Sequence, residues 1–274
     1  MHKNIVLIFS FLILASCTPS ISINDSDFEE EVAVRVAVAQ TTTALAQSHI
    51  NQTQTSAQVT PSPSETPGAT PYPTIGQDDP KLSLGSATWK DTLNSGNYWG
   101  LNASGTTIND TVIVVKDGYL TMSRNVLGLG KTWWKASPKP RNFYLEGRFT
   151  LQNCSGDDQY GLVFRAPSFE DGNGYYYMVS CDGRYTLIKW DSNGQSLLIN
   201  WEKSEAIQAG ADKINDLGVW VKDNTIILYV NGNKLKEIND GSITTAGYFG
   251  LVMDARNTPG FTVKLDEISY WDLS

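Results

Sequence analysis

Carboxylates, guanidinium groups and aromatic rings are the chemical resources of this chain; imidazole is not. Its two histidines, His2 and His49, both stand in the first fifty residues. From residue 81 onward there is no base for a Ser-His-Asp or Cys-His nucleophile, and no histidine to ligate zinc or iron. No glycine-rich phosphate loop leads into a helix, so nucleotide chemistry is not indicated. Carboxylate chemistry stays open. Glycoside hydrolysis needs two acids about 5–10 Å apart with separated pKa values. The nearest pairs are Glu170-Asp171 and Asp266-Glu267, but neighbours on a strand point to opposite faces, so neither makes a dyad.

Rings offer a second kind of chemistry, and strands must position them. On the stretch 160–166, alternation sets Tyr160, Leu162 and Phe164 toward a core and Gly161, Val163 and Arg165 outward. On 175–180, Tyr176, Met178 and Ser180 share that outer face, and Thr186, Ile188 and Trp190 extend it on 184–190. Trp133-Trp134 falls on a nearby segment whose position the sequence leaves open. Flat rings stack on the apolar face of a pyranose, and arginine donates to hydroxyls or carboxylates. Arg165, Tyr176, Trp190, Trp133 and Trp134 are therefore the expected ligand-binding set. Two other outcomes stay open: outer rings also form cross-strand pairs or lie beneath a loop, and a one-residue register slip would exchange the faces. Asp157, Asp158 and Asp182 are weak calcium candidates; a hard cation wants six to eight oxygens, and aspartates clustered in loops are also plain turn chemistry.

The surrounding elements are strands throughout. Thr111–Val115 and Gly118–Ser123 flank a Lys116-Asp117 turn, Phe143–Leu151 alternates apolar and polar, and Leu217–Lys222 meets Thr225–Val230 across Asp223-Asn224. Asn231-Gly232 is a strong hairpin signal, and Gly247–Asp254 and Phe261–Trp271 close the chain. All eight tryptophans fall after residue 80. Turns recur every eight to twelve residues, the spacing of an all-β sandwich or barrel. About a dozen such strands must bury two faces, which predicts two stacked antiparallel sheets over residues 81–274.

The ordered segments Val115-Lys116-Asp117-Gly118-Tyr119-Leu120, Tyr160-Gly161-Leu162-Val163-Phe164-Arg165, Ile227-Leu228-Tyr229-Val230-Asn231-Gly232, Gly247-Tyr248-Phe249-Gly250-Leu251 and Leu265-Asp266-Glu267-Ile268 resemble the concanavalin A-like lectin/glucanase jelly roll. Within it they are closest to laminin-G-like and 3-keto-disaccharide-hydrolase-type domains, over roughly residues 85–274. The resemblance implies a fold more than an activity. The Glu-x-Asp-x-x-Glu string of the glucanase branch is missing. Gly161 to Arg165 matches the keto-disaccharide hydrolase Gly-x-x-x-Arg strand in form, without the rest of that family's active residues.

The front of the chain is of another kind. Lys3 precedes an apolar run, Ile5 to Leu14, that is too short to span a bilayer. Leu14-Ala15-Ser16-Cys17 resembles a bacterial lipobox, which implies that residues 1–17 form a lipoprotein signal with Cys17 as the lipidated residue. Residues 18–80 follow as a weakly helical or disordered tether, Thr/Pro-rich over 58–75, where proline keeps the chain extended. Residues 1–80 carry a net charge of −6 and the remainder −2. A nearly neutral domain without a basic run has no electrostatic footprint for nucleic acid.

An exported domain with two remaining thiols usually pairs them. If strands 143–151, 160–166 and 174–180 form a meander, Cys154 and Cys181 meet at one end of it. The expectation is an envelope protein, lipid-anchored to the membrane, whose sandwich binds glycan without catalysis and without a cofactor, calcium aside. An envelope glycoside hydrolase or keto-sugar hydrolase, and a structural or protein-interaction module, are the alternatives.

Overall fold

The computed structural model describes residues 76–274. Cys17 and nearly all of the tether lie outside the described residues. After a single helical turn, α1 (Lys81–Leu84), the strands run β1 (Trp89–Asp91), β2 (Thr106–Ile108), β3 (Thr111–Lys116), β4 (Tyr119–Arg124), β5 (Thr132–Ala136), β6 (Phe143–Gln152), β7 (Gln159–Ala166), β8 (Gly174–Ser180), β9 (Arg184–Asp191), β10 (Gly194–Lys203), β11 (Ile214–Lys222), β12 (Thr225–Val230), β13 (Asn233–Asn239), β14 (Tyr248–Asp254) and β15 (Phe261–Asp272). They form two antiparallel sheets. One has nine strands, ordered β13-β12-β11-β6-β15-β4-β3-β2, with β1 pairing the last part of β15; the other has six, ordered β10-β9-β8-β7-β14-β5. The expected all-β, two-sheet sandwich is the observed one.

Alternation builds the core. Phe143, Leu145, Phe149 and Leu151 of β6 and Leu217, Val219 and Val221 of β11 face Leu162 and Phe164 of β7, Tyr175, Tyr177 and Val179 of β8 and Phe249, Leu251 and Met253 of β14, all buried. The intersheet layer is thus aromatic and β-branched, as pleated half-buried surfaces favour.

Cys154 and Cys181 form a disulfide with Cα atoms 6.0 Å apart. The expected pairing holds, but the expected meander does not. β6 lies in the nine-stranded sheet, whereas β7 and β8 lie in the other, so the bridge ties the crossover between sheets to the β8–β9 turn. The apolar set of Phe143–Leu151 fits either sheet, and sequence alternation alone does not choose between them.

The segment ahead of β1 is strapped to the nine-stranded sheet. Gly76 lies so close to Gly232 in the β12–β13 turn that an added Cβ would sit 2.3 Å from the Gly232 main chain. Lys81 Nζ pairs with Glu146 of β6 at 2.5 Å, and Trp271 Nε1 donates to the Gly85 carbonyl at 3.0 Å.

Candidate functional site

The solvent-side face of the six-stranded sheet carries a second apolar cluster. Val163, Ala166, Tyr176, Met178, Ile188 and Val252 are buried there, with Trp133, Trp190, Trp201 and Tyr248 packed around them. Tyr176, Met178, Ile188 and Trp190 thus share the outer face, as alternation predicts. Trp133 of β5, an unplaced residue in the sequence, joins them. Its ring lies 5.5 Å from Trp190 and 6.3 Å from Tyr176, and Tyr176 lies 6.1 Å from Trp190.

That meeting has a geometric consequence. β5 and β9 are four strand steps apart. Flat strands at ~4.8 Å spacing would put their backbones about 19 Å apart, more than two indole side chains bridge. The sheet therefore curls toward this face. Gly161 and Gly250 permit the curl: a Cβ on Gly161 would lie 1.9 Å from the Tyr177 carbonyl oxygen, and one on Gly250 2.0 Å from that of Trp134.

The β7–β8 loop folds over the middle of the hollow. Tyr176 is fully buried and donates its hydroxyl to the Gly172 carbonyl at 2.6 Å; burial raises its pKa. Lys135, on the same face of β5 as Trp133, donates to the carbonyls of Ser168 at 2.9 Å and Asp171 at 2.5 Å. Its ammonium, 5.6 Å from the Trp133 ring centre, is lowered by burial to about 8. Tyr176 is thus a support beneath the loop, while half-buried Trp133 and Trp190 remain at the surface. Beside the loop, along the free edge of β5, opens a cleft of about 360 Å3 lined by Trp133, Trp134, Phe169, Lys131, Glu170 and Asn109, among others. Trp134 points to the core side, donating Nε1 to the Trp99 carbonyl at 2.8 Å and meeting Phe169 edge to face. Adjacent residues on an edge strand thereby line one cleft from opposite sides.

Arg165 corrects the expectation of an outward guanidinium. The register between β14 and β7 shifts between Tyr248 and Gly250, and Arg165 takes φ 48°. This bulge turns the side chain into the end of the sandwich, where it is fully buried. It donates to the carbonyls of Asp223 (2.7 Å), Ile243 (3.0 Å) and Arg141 (3.1 Å) and to Asn142 Oδ1 (3.3 Å). Arg165 holds loops together and is not available to a ligand, which also removes the Gly161-to-Arg165 strand as a sign of keto-sugar hydrolysis.

The calcium candidates are likewise committed elsewhere. Asp158 accepts main-chain N–H groups from Ser155, Arg256, Asn257 and Thr258 at 2.8–3.2 Å. Asp157 pairs with Arg184 at 3.0 Å and Arg256 at 2.5 Å. Asp182 pairs with Arg184 at 2.8 Å and accepts from Ser180. These contacts order loops through arginine and main-chain donors. Among the described residues no group of three or more acidic, histidine or cysteine side chains could hold a metal ion.

Sequence reasoning missed Lys131, Lys135 and Trp201 at this face, and it missed Asp254. The last was findable, since Tyr248, Gly250, Val252 and Asp254 alternate outward on β14. It also missed a charged cleft of about 210 Å3 on the nine-stranded sheet, lined in part by Lys81, Glu146, Arg148, Asp216 and Glu267. There Glu146 takes Lys81 and the Tyr144 hydroxyl (2.7 Å), and Arg148 grips Asp216 with two bonds of 2.7 and 2.9 Å.

No protein-family model matches the chain, and no curated protein is similar to it. Solved structures are similar in fold. A Bacillus subtilis protein of unknown function with a galectin-like fold aligns with a TM-score of 0.53 at 15% identity, over 69% of this chain and 97% of that one. A carbohydrate-binding module, also from Bacillus subtilis, aligns with a TM-score of 0.44 at 17% identity, over 66% and 96%. The described domain is an all-β sandwich of two antiparallel sheets, similar in fold to that galectin-like structure.

Proposed function

We propose that this sandwich is a non-catalytic glycan-binding domain, displayed at the cell envelope from a lipid on Cys17. One observation carries the binding part: Trp133 and Trp190 meet 5.5 Å apart on a curled, solvent-side sheet face, beside an aromatic-lined cleft. Half-buried rings lining a hollow suit the apolar face of a sugar, and concave sites with a few polar groups are where small ligands bind. The test is affinity electrophoresis against a broad polysaccharide panel. Retardation should be lost on Trp190→Ala and on Trp133→Ala while circular dichroism stays unchanged. Absence of retardation by every polysaccharide class would reject the reading. The anchor rests on the lipobox resemblance and is tested by metabolic fatty-acid labelling, which should disappear with Cys17→Ala.

A hydrolase reading draws on one observation, the two carboxylates Glu146 and Asp216 lining one cleft, with Glu146 raised by burial. Both are tied to cations, Lys81 and Arg148, so neither is free to exchange protons with a substrate. Product release from disaccharides that is abolished by Glu146→Gln would revive this reading; inactivity across a broad panel would close it.

A further inference from the structure

Lys131 lines the β5-edge cleft together with Trp133. The two residues alternate onto one face of the chain, about 7 Å apart at the rise of an extended strand. Lys131 is part-buried, and among the described residues it makes no hydrogen bond, ion pair or ring contact. The other described lysines without such a partner, Lys116, Lys203 and Lys213, are exposed, where water solvates the ammonium. Burial lowers the Lys131 pKa against the attraction of Asp254 and Asp157, and Arg256 lowers it further. A desolvated cation is thus left at the wall of an aromatic cleft, and burying a charge without a partner is unfavourable.

Lys135 follows Trp133 at the same spacing and lines the same cleft. Its hydrogen bonds go to the Ser168 and Asp171 carbonyls, so it contributes charge to the cleft and no free donor is claimed for it. Trp133 is therefore flanked along β5 by two ammonium groups. The one acidic residue in the lining is Glu170, which is exposed on the β7–β8 loop. Two cations against one anion leave the lining with one net positive charge, in a domain whose own net charge is negative. Solvent and salt screen an exposed charge more than a part-buried one, so the balance at Trp133 favours the lysines.

Resting on the glycan reading, we propose that the β5-edge cleft takes an acidic sugar, its ring against Trp133 and its carboxylate paired with Lys131. A uronic acid carries its carboxylate at the ring edge, so stacking on the indole and reaching sideways to the ammonium are compatible. A carboxylate forms a charge-assisted bond with Lys131, roughly twice as strong as the bond between neutral groups. A neutral sugar offers only a hydroxyl, so the cleft favours uronate-bearing glycans over neutral ones.

The experiment is affinity electrophoresis of the protein on polygalacturonate, alginate and hyaluronate as acidic probes and on galactan, xylan and levan as neutral ones. The melting temperature of each variant is measured alongside. At least one acidic polysaccharide should retard the protein more strongly than every neutral one. Lys131→Met should weaken that binding about tenfold or more while leaving the melting temperature equal or higher, because the substitution removes a desolvated charge. Equal or stronger binding to a neutral polysaccharide overturns the proposal and leaves the glycan site standing. So does Lys131→Met binding as wild type while Trp133→Ala does not. A joint fall of binding and melting temperature in Lys131→Met marks a structural role and also overturns it. If no polysaccharide is retarded, or if Trp133→Ala, Trp190→Ala and Lys131→Met all bind as wild type, both this proposal and the site reading fall.

Discussion

Lys135 and Ser168 are joined across the six-stranded sheet, the ammonium of the first donating to the carbonyl of the second at 2.9 Å. With the companion bond to Asp171, this fixes the β7–β8 loop over the aromatic hollow.

The bond is made by a group whose proton the fold resists. Burial lowers Lys135 to about 8, against 10.5 for an ordinary lysine. Between those values the unfolded chain holds the proton and the folded chain releases it, so this residue makes stability rise as pH rises from about 8 to 10.5. Urea midpoints measured across that window should climb in wild type relative to Lys135→Met. Parallel curves for the two proteins would refute the assignment.

Gly172 stands where the loop touches the rings. A Cβ there would lie 3.2 Å from both Trp133 and Trp190, closer than ordinary packing. Gly172→Ala should fold with a loss of about 1–3 kcal/mol and displace the loop from the indoles. Tryptophan emission should shift to longer wavelength; an unchanged spectrum would mean that the contact relaxes without moving the rings.

Arg165 is expected to matter for stability and not for binding. Removing a buried guanidinium strands several main-chain acceptors, so Arg165→Met should cost about 3–5 kcal/mol. Arg165→Lys should recover little of it, since one ammonium cannot reproduce the planar fork. Denaturant titration measures both, and a near-neutral Arg165→Met would disprove the account.

The loops around Asp157, Asp158 and Asp182 should be indifferent to calcium and sensitive to Asp158. A melting temperature unchanged by EGTA or by millimolar calcium is the expected result. Asp158→Ala should lose about 2–3 kcal/mol, because four main-chain donors lose one acceptor side chain. A calcium-dependent rise in melting temperature would restore the cation reading.

Reduction of Cys154–Cys181 should lower stability by about 3 kcal/mol in the chain-entropy view of a cross-link closing 27 residues. Cys154→Ser with Cys181→Ser, compared by urea unfolding, tests that size. A change within a few tenths of a kcal/mol would mean that the unfolded chain already keeps these residues near each other.

Much of the fold was legible because alternation was clean. Phe143–Leu151, Tyr160–Ala166, Tyr175–Ser180 and Phe261–Trp271 all declared themselves by apolar period. β5 and β10 did not. β5 is short and sits between a Gly-Leu-Gly segment and Pro138. β10 is an edge strand whose register with β9 shifts twice, which breaks the period-two signal. The site was legible to the same extent. Tyr176 and Trp190 lie on regular strands, and their faces followed from counting. Arg165 sits on a bulge, where counting fails by one. Trp133 belongs to the cluster only because the sheet curls, and curvature depends on glycine contacts between strands that no local pattern displays. The partner sheet of each strand was equally hidden, so the disulfide was inferred correctly from a meander that does not exist.

The strap from Gly76 to Gly85 bears on how the domain would be presented. It runs along the nine-stranded sheet, against Glu146, Gly232 and Trp271, while the indoles of Trp133 and Trp190 look out from the opposite sheet. The polypeptide therefore joins the sandwich at its back, and a load-carrying stalk attached there would leave the ring-lined hollow unobstructed.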